Sequence, residues 1–203
     1  GLSVTMPLKS EAYDLATFRS PEAEATKVVN TLCSIDGIWH GFNTDIFGLM
    51  QALSVIEVGQ LRSAAILGSG ATARSALLAL GSRFPGLEIK IFARSSESIR
   101  DIASTNGSIE VSPLAQFSGD QDLVINATPA DMSKSIHGPR YWLNTSYANQ
   151  QAGPTGAILI SPLEMLIWQA IAQVRIFTSR DVNKALADEE EVVKRIRIAL
   201  QTI

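Results

Sequence analysis

The chain has 203 residues, a formal net charge of −3, 46% hydrophobic and 6% aromatic residues, and one cysteine. That length and apolar content allow one large or two small globular units, and an acidic balance with scattered Lys and Arg argues against a nucleic-acid partner. A lone Cys33 cannot close an intramolecular disulfide, no apolar run reaches a bilayer span, and the N-terminus carries no signal-like stretch, so the expected compartment is the cytoplasm, with no membrane partner.

From the N-terminus, LSVTMP alternates apolar and hydroxyl residues as a strand does, and Pro7 stops it, which predicts Lys9 at a strand end. A helix is expected over 10–18, and 23–32 leads through a short strand to Asn30. The turn at 34–37 precedes a second hairpin arm that ends at Asp45. Apolar spacing through Ile46, Phe47, Leu49, Met50, Leu53 and Ile56 predicts a linking helix over 46–61. From Leu61 short apolar strands alternate with helices: strands at 64–67, 88–93, 122–128 and 156–160, helices at 72–80, 98–105 and about 163–177. That alternation is the βαβ pattern of a doubly wound parallel sheet. The segment 133–156, rich in Ser, Asn, Gln, Gly and Pro, gives no readable period. A last helix is expected over 181–201, with acidic residues ahead of basic ones, as the helix dipole favours.

Gly68, Ser69, Gly70, Ala71, Thr72 and Ala73 follow a buried strand and open a helix, the context in which a GxGxxA loop cradles a dinucleotide pyrophosphate. A tight βα turn with nothing bound would use the same glycines. An NAD site would end the next strand with Asp or Glu; here it ends Ala93-Arg94-Ser95-Ser96, a cation and hydroxyls suited to a 2′-phosphate, which points to NADP. A solvated strand-end arginine is the plain alternative. Asn126, Thr128 and Pro129 fall at the C-terminal end of a later strand, where open α/β sheets hold ligands. Lys9 closes VTMPLK and Asp45 closes GFNTD, both upstream of the glycine loop; the plain readings are a solvated loop lysine and an Asx-turn or helix-capping aspartate. His40 and His137 have no partner at ligand spacing, and no metal site is visible.

Six segments in order, VTMPLK, VVNTL, GFNTD, LGSGATAR, INATP and LEMLIWQA, resemble the shikimate dehydrogenase family, a likeness that runs from Gly1 to about Thr178. The resemblance implies an NADP-binding, Rossmann-like doubly wound α/β sheet joined to a partial α/β substrate-binding domain. It implies an NADP-dependent oxidoreductase acting between 3-dehydroshikimate and shikimate, with Lys9 and Asp45 as the catalytic pair. Thr5, Asn30 and Gln169 would contact substrate hydroxyls or carboxylate, and Tyr147 would line that site if SYANQ is the family's tyrosine segment. Gly68, Ser69, Gly70, Ala71, Asn126 and Thr128 would hold the cofactor, Arg94 and Ser95 its phosphate, and Met165 would pack near the nicotinamide. The implied division is 1–48 with the C-terminal helix 181–203 as substrate domain, and 49–180 as cofactor domain, the helices 46–61 and 163–178 being hinge candidates.

Departures from the family pattern are Ala93 for a frequent Asn, Pro162 for a glycine before LEML, Asp131 for a glycine after NATPA, and a short segment between Met132 and Gly156. The serine-bearing loop that precedes the lysine strand in relatives is absent, so the chain is expected to be a fragment or to have lost an N-terminal piece. These departures keep two alternatives open: a diverged dehydrogenase acting on quinate or another cyclitol acid, and a weak nucleotide-binding paralogue. Oligomeric state is not legible in the sequence.

Overall fold

Two sheets organise the chain, and the period of apolar residues decides which is buried on one face and which on both. The structure is a computed structural model that describes residues 1–94, 109–132, 138–146 and 153–200. The first sheet has four strands, β1 (Leu2–Ser3), β2 (Phe18–Arg19), β3 (Thr31–Ile35) and β4 (Ile38–Phe42), in the order β1-β3-β4-β2. β3 and β4 form an antiparallel hairpin through Asp36 and Gly37, both at positive φ, while β2 runs parallel to β4. Helices α1 (Lys9–Leu15) and α2 (Pro21–Thr26) supply Ala12 and Ala23, which pack with Ala16 at the C-cap of α1 and with Val29 and Leu32. α2 begins as its sequence dictates, with the Ser20 hydroxyl accepting the Ala23 N–H and Pro21 at its first position.

The second sheet is all-parallel: β5 (Ser63–Leu67), β6 (Glu88–Ala93), β7 (Glu110–Pro113), β8 (Leu123–Asn126), β9 (Tyr141–Asn144) and β10 (Ile158–Ile160), ordered β7-β6-β5-β8-β9-β10. In chain order that is 3-2-1-4-5-6, the Rossmann arrangement, whose direction of winding reverses between β5 and β8. Alternate residues serve opposite faces. Ala64, Ile66, Leu123, Ile125, Tyr141 and Leu143 join one core cluster, whereas Ala65, Leu67, Val124 and Trp142 join another. Helices α3 (Asp45–Ala52), α4 (Ala71–Arg83) and α5 (Pro162–Ser179) bring Leu49, Leu77, Leu80 and Met165 to the first cluster.

α3 and α5 pack closely on each other. They meet at Gly48, where an added Cβ would stand 2.5 Å from the Met165 carbonyl oxygen and 3.1 Å from the Gln169 amide nitrogen. The last helix, α6 (Glu189–Leu200), lays Val193, Ile196 and Leu200 on Ile167, Trp168 and Ile171 of α5. Arg197 clasps Glu164 at 2.7 and 2.8 Å, and the buried Arg175 binds Glu189 and the Val182 carbonyl.

Several boundaries differ from the sequence expectation, each for a local reason. The first strand stops at Ser3; Thr5 to Leu8 turn, with the Leu8 N–H on the Thr5 carbonyl at 2.9 Å, so Lys9 opens helix α1 and does not end a strand. Asn30 immediately precedes β3, and Asp45 lies past the end of β4, at the first position of α3. The helix expected over 46–61 ends at Ala52 and closes with a 3₁₀ turn at Leu53–Val55; Val55 and Val58 are exposed, so the apolar period is broken there. The C-terminal helix begins at Glu189, eight residues later than expected, because the Asp181 side chain and Arg175 engage the preceding backbone. β7 and β9 are strands that the sequence reading lacked, β9 lying inside the segment with no readable period. The expected helix at 98–105 lies outside the described residues, as do Ser95, His137 and Tyr147. Among the described residues no helix is long and apolar enough to cross a membrane, and no group of His, Cys, Asp and Glu is arranged to hold a metal ion.

Candidate active site

Lys9 and Asp45, 36 residues apart, meet at 2.6 Å, with side chains 14% and 4% exposed. Each stands at a helix N-terminus, Lys9 on α1 and Asp45 on α3. The positive end of α3 favours the Asp45 carboxylate, while the α1 terminus gives an ammonium no help, so the carboxylate is what holds Lys9 in place. The second carboxylate oxygen accepts from Asn30 Nδ2 at 2.8 Å. Asn30 is buried and fully engaged: its Nδ2 also reaches Thr44 Oγ1, and its Oδ1 accepts from the Thr44 N–H at 2.9 Å and the Thr31 hydroxyl at 2.8 Å. Its backbone is pinned as well, by Val4 N–H at 2.7 Å and Gln173 Nε2 at 3.2 Å on the carbonyl. The Thr44 side chain, at the α3 capping position, is spent on Asn30 and makes no cap bond.

Of the other expected substrate contacts, Thr5 and Gln169 fall among the described residues. Gln169 sits one turn before Gln173 on the same face of α5, with its Nε2 on the Leu166 carbonyl at 3.1 Å. Thr5 is exposed in the turn before α1. Asn43, Thr44 and Gln173 bond Asp45 and Asn30 directly: the first two stand inside the GFNTD motif, and the only sequence signal for the third is its i+4 spacing from Gln169. Beside the Asn43–Thr44 backbone is a cavity of about 280 Å³, walled by Phe42, Phe47, Ile176 and Val182. A larger one, about 740 Å³ among Leu77, Gly81, Phe84 and Leu87, opens at the N-terminal end of the parallel strands, opposite the glycine loop.

The glycine loop leaves β5 at the point where the sheet reverses. Gly68 has φ +111° and its N–H bonds the Phe92 carbonyl at 2.8 Å; a Cβ there would press on the Ala127 carbonyl at 3.1 Å and the Thr128 methyl at 3.2 Å. Only glycine fits that turn. Gly70 caps α4 with no side-chain bond to the helix, and nothing lies within 4 Å of where its Cβ would be. The N-terminus of a 13-residue helix, with no side-chain cap and open space beside Gly70, fits a pyrophosphate, so the residues present suit the dinucleotide that the fold implies. Ser69 and Ala71 flank that opening, and Arg94 is exposed at the end of β6.

Across the reversal, Asn126 uses its amide mainly on its own loop, with a longer bond from Nδ2 to Asn144 Oδ1 of β9 at 3.5 Å. Its Oδ1 accepts the Thr128 N–H and hydroxyl at 3.1 and 2.8 Å, and its Nδ2 donates to the Ala130 carbonyl at 3.0 Å, which shapes the backbone facing Gly68. Met165, 2% exposed, lies in the first turn of α5 against Gly48. Pro162 is the first residue of α5, where its missing N–H would have had no helical partner. Farther along α5, the Arg175 guanidinium holds the Glu189 carboxyl below the usual carboxylate range, against the burial that pushes it up, and stacks over the Phe47 ring of α3.

No family model matches the chain. A shikimate dehydrogenase (NADP(+)) from Legionella pneumophila (strain Corby) is 30% identical over 212 residues, covering 97% of this chain and 78% of that protein. One from Aeropyrum pernix is 33% identical over 136 residues, covering 64% of this chain and 50% of that protein. Among solved structures, Mycobacterium tuberculosis shikimate dehydrogenase superposes with a TM-score of 0.78 at 27% identity, over 95% of this chain and 78% of that one. The shikimate 5-dehydrogenase of Thermus thermophilus, in complex with NADP(H) and shikimate, gives 0.75 at 26% identity, over 95% and 77%.

Proposed function

Because the chain belongs to the shikimate dehydrogenase family, we propose that it interconverts 3-dehydroshikimate and shikimate with NADP(H), with Lys9 as proton donor and acceptor and Asp45 as its orienting partner. The observation that carries this reading is the Lys9–Asp45–Asn30 chain of contacts in a protein whose parallel sheet also presents an open glycine loop. When bound, NADPH supplies the hydride to the ring carbonyl carbon. As that carbonyl oxygen gains charge, Lys9 can aim an N–H not used on Asp45 at it, stabilise it, and transfer the proton to give the alcohol; in the reverse direction Lys9 takes the proton back. Asp45, gripped on both oxygens by Lys9 and Asn30, fixes the ammonium and can accept from a neighbouring substrate hydroxyl.

In this reading Thr5, Gln169 and Tyr147 contact the substrate, and Asn30, whose amide is taken up by Thr31, Thr44 and Asp45, acts on it through Asp45. The backbone of Gly68, Ser69, Gly70 and Ala71 takes the pyrophosphate, Arg94 and Ser95 the 2′-phosphate, and Asn126, Thr128 and Met165 border the cofactor. Residues 1–48 with 181–203 form the substrate domain and 49–180 the cofactor domain. This division is supported by the approach of Val182 and Asn183 to Ser20, Phe42 and Asn43. The lone Cys33 supports a reducing, cytoplasmic setting. The test is direct: protein, shikimate and NADP⁺ should raise the absorbance of reduced nicotinamide. Cofactor reduction with quinate but none with shikimate would overturn the substrate assignment.

A further inference from the structure

Asn43 is 5% exposed and hydrogen-bonded on every side. Its Oδ1 accepts the Asp45 N–H at 3.2 Å, and its Nδ2 donates to the Ser75 hydroxyl and the Thr26 hydroxyl, both at 2.9 Å. Those hydroxyl protons are already committed, Thr26 to the Glu22 carbonyl at 2.7 Å and Ser75 to the Ala71 carbonyl at 3.1 Å. Both can therefore only accept from Asn43. Turning the amide over would set Nδ2 against the Asp45 N–H and leave the hydroxyls without a donor, so one orientation is fixed.

The result is a continuous path, buried from Ser75 to Asp45 and part-buried at Ala71: Ala71 carbonyl, Ser75 hydroxyl, Asn43 amide, Asp45 N–H. One end is the first residue of α4, in the glycine loop; the other is the first residue of α3, which carries the carboxylate bound to Lys9. A fully buried serine in a helix interior packs no better than alanine and competes for its own backbone, so the use of its hydroxyl here is the bond it accepts. The neighbouring Arg74 reaches the Thr26 carbonyl at 3.3 Å, a second tie between α4 and the same corner.

We propose that Asn43 is a positioning residue which, through Ser75, makes the setting of Asp45 depend on occupancy of the glycine loop. A dinucleotide drawn onto the α4 N-terminus pulls on the Ala71 peptide, and the pull reaches the N–H of Asp45 through two side chains. The inference rests on the reading of that loop as the NADP site.

The test is nuclear magnetic resonance on ¹⁵N-labelled full chain titrated with NADP⁺ alone, following the Asp45 N–H. In the wild type this resonance should shift on saturation. In Ser75→Ala the shift should be lost while NADP⁺ affinity stays within a few-fold. Thr26→Val removes one bond from the same Nδ2 without touching the loop, and should keep the shift; equal loss in both variants would mean general loosening and overturn the proposal. A full shift in Ser75→Ala, or none in the wild type with NADP⁺ bound, would also overturn it. If NADP⁺ fails to bind the wild type, the cofactor reading falls first and takes this inference with it. Should Ser75→Ala fail to fold, Ser75→Cys retains the shape with a weaker acceptor and should show a reduced shift; an undiminished one would refute the path.

Discussion

Replacing Lys9 by Met keeps most of the side-chain stem and removes the ammonium from a contact of 2.6 Å. At that distance and an effective dielectric constant of about 20, the gross attraction is about 6 kcal/mol. Desolvation offsets part of it, and leaving one member of a buried pair alone costs about 3–5 kcal/mol in measured cases. Here the lower end applies, because Lys9 is 14% exposed and Asp45 retains the Asn30 bond, so water and one donor remain for the carboxylate. For a chain of this size about 3 kcal/mol corresponds to a fall in Tm of about 6–12 °C. The catalytic effect should be far larger than the structural one. Loss of the proton donor should lower kcat by about 10²–10⁴-fold, whereas NADP⁺ affinity should hold, since the glycine loop does not touch Lys9. Steady-state turnover of shikimate, with NADP⁺ titration by intrinsic fluorescence as the check on folding, separates the two. A kcat loss below about tenfold, or a parallel collapse of NADP⁺ binding, would refute the assignment of Lys9 as the acid.

Three further outcomes are expected. Arg94→Ala should weaken NADP⁺ by about 10–100-fold, the worth of charge-assisted bonds to a phosphate, and leave NAD⁺ unchanged; an equal effect on both would remove the case for Arg94 as the phosphate ligand. Gly68→Ala puts a methyl group on a residue at φ +111° and within 3.1 Å of the Ala127 carbonyl, so it should lower Tm and abolish tight NADP⁺ binding together. Binding at wild-type strength would show that the loop is not the cradle. The Glu189 carboxyl is held low by Arg175, so its stabilising effect is present above the unfolded value of about 4.3 and is lost as pH falls through the lower folded value. Glu189→Gln should therefore destabilise at neutral pH and flatten the acid limb of a urea-midpoint profile; parallel acid limbs would exclude this role.

The parallel sheet was legible because its central strands β5 and β8 are buried on both faces and read as short apolar runs between helical periods, and because the glycine loop falls at the end of the first of them. β9 was not, for Tyr141-Trp142-Leu143-Asn144 is brief and lies among loop-forming residues, yet it is buried only because β8 and β10 flank it. Lys9, Asn30 and Asp45 were legible as letters of ordered motifs, but their setting was not. The sequence put Lys9 at a strand end because Leu2 to Pro7 alternates, whereas a tight turn at Thr5–Leu8 converts the approach into a helix start. Asn43, Ser75 and Gln173 escaped notice for a common reason: the meaning of each polar side chain lies in a partner 32 to 143 residues away.

The contact of α3 with α5 at Gly48 constrains how such a chain can diversify. Where side chain meets side chain, a larger residue on one helix can be answered by a smaller one on the other. At Gly48 the opposing atom is the Met165 carbonyl oxygen, 2.5 Å from any added Cβ, and no replacement at position 165 removes it. The crossing is thus closed to compensatory exchange. The helix that bears Asp45 and the helix that bears Gln169 and Gln173 pass to descendants as one part, so tilting one helix against the other is not open as a route to a new substrate preference.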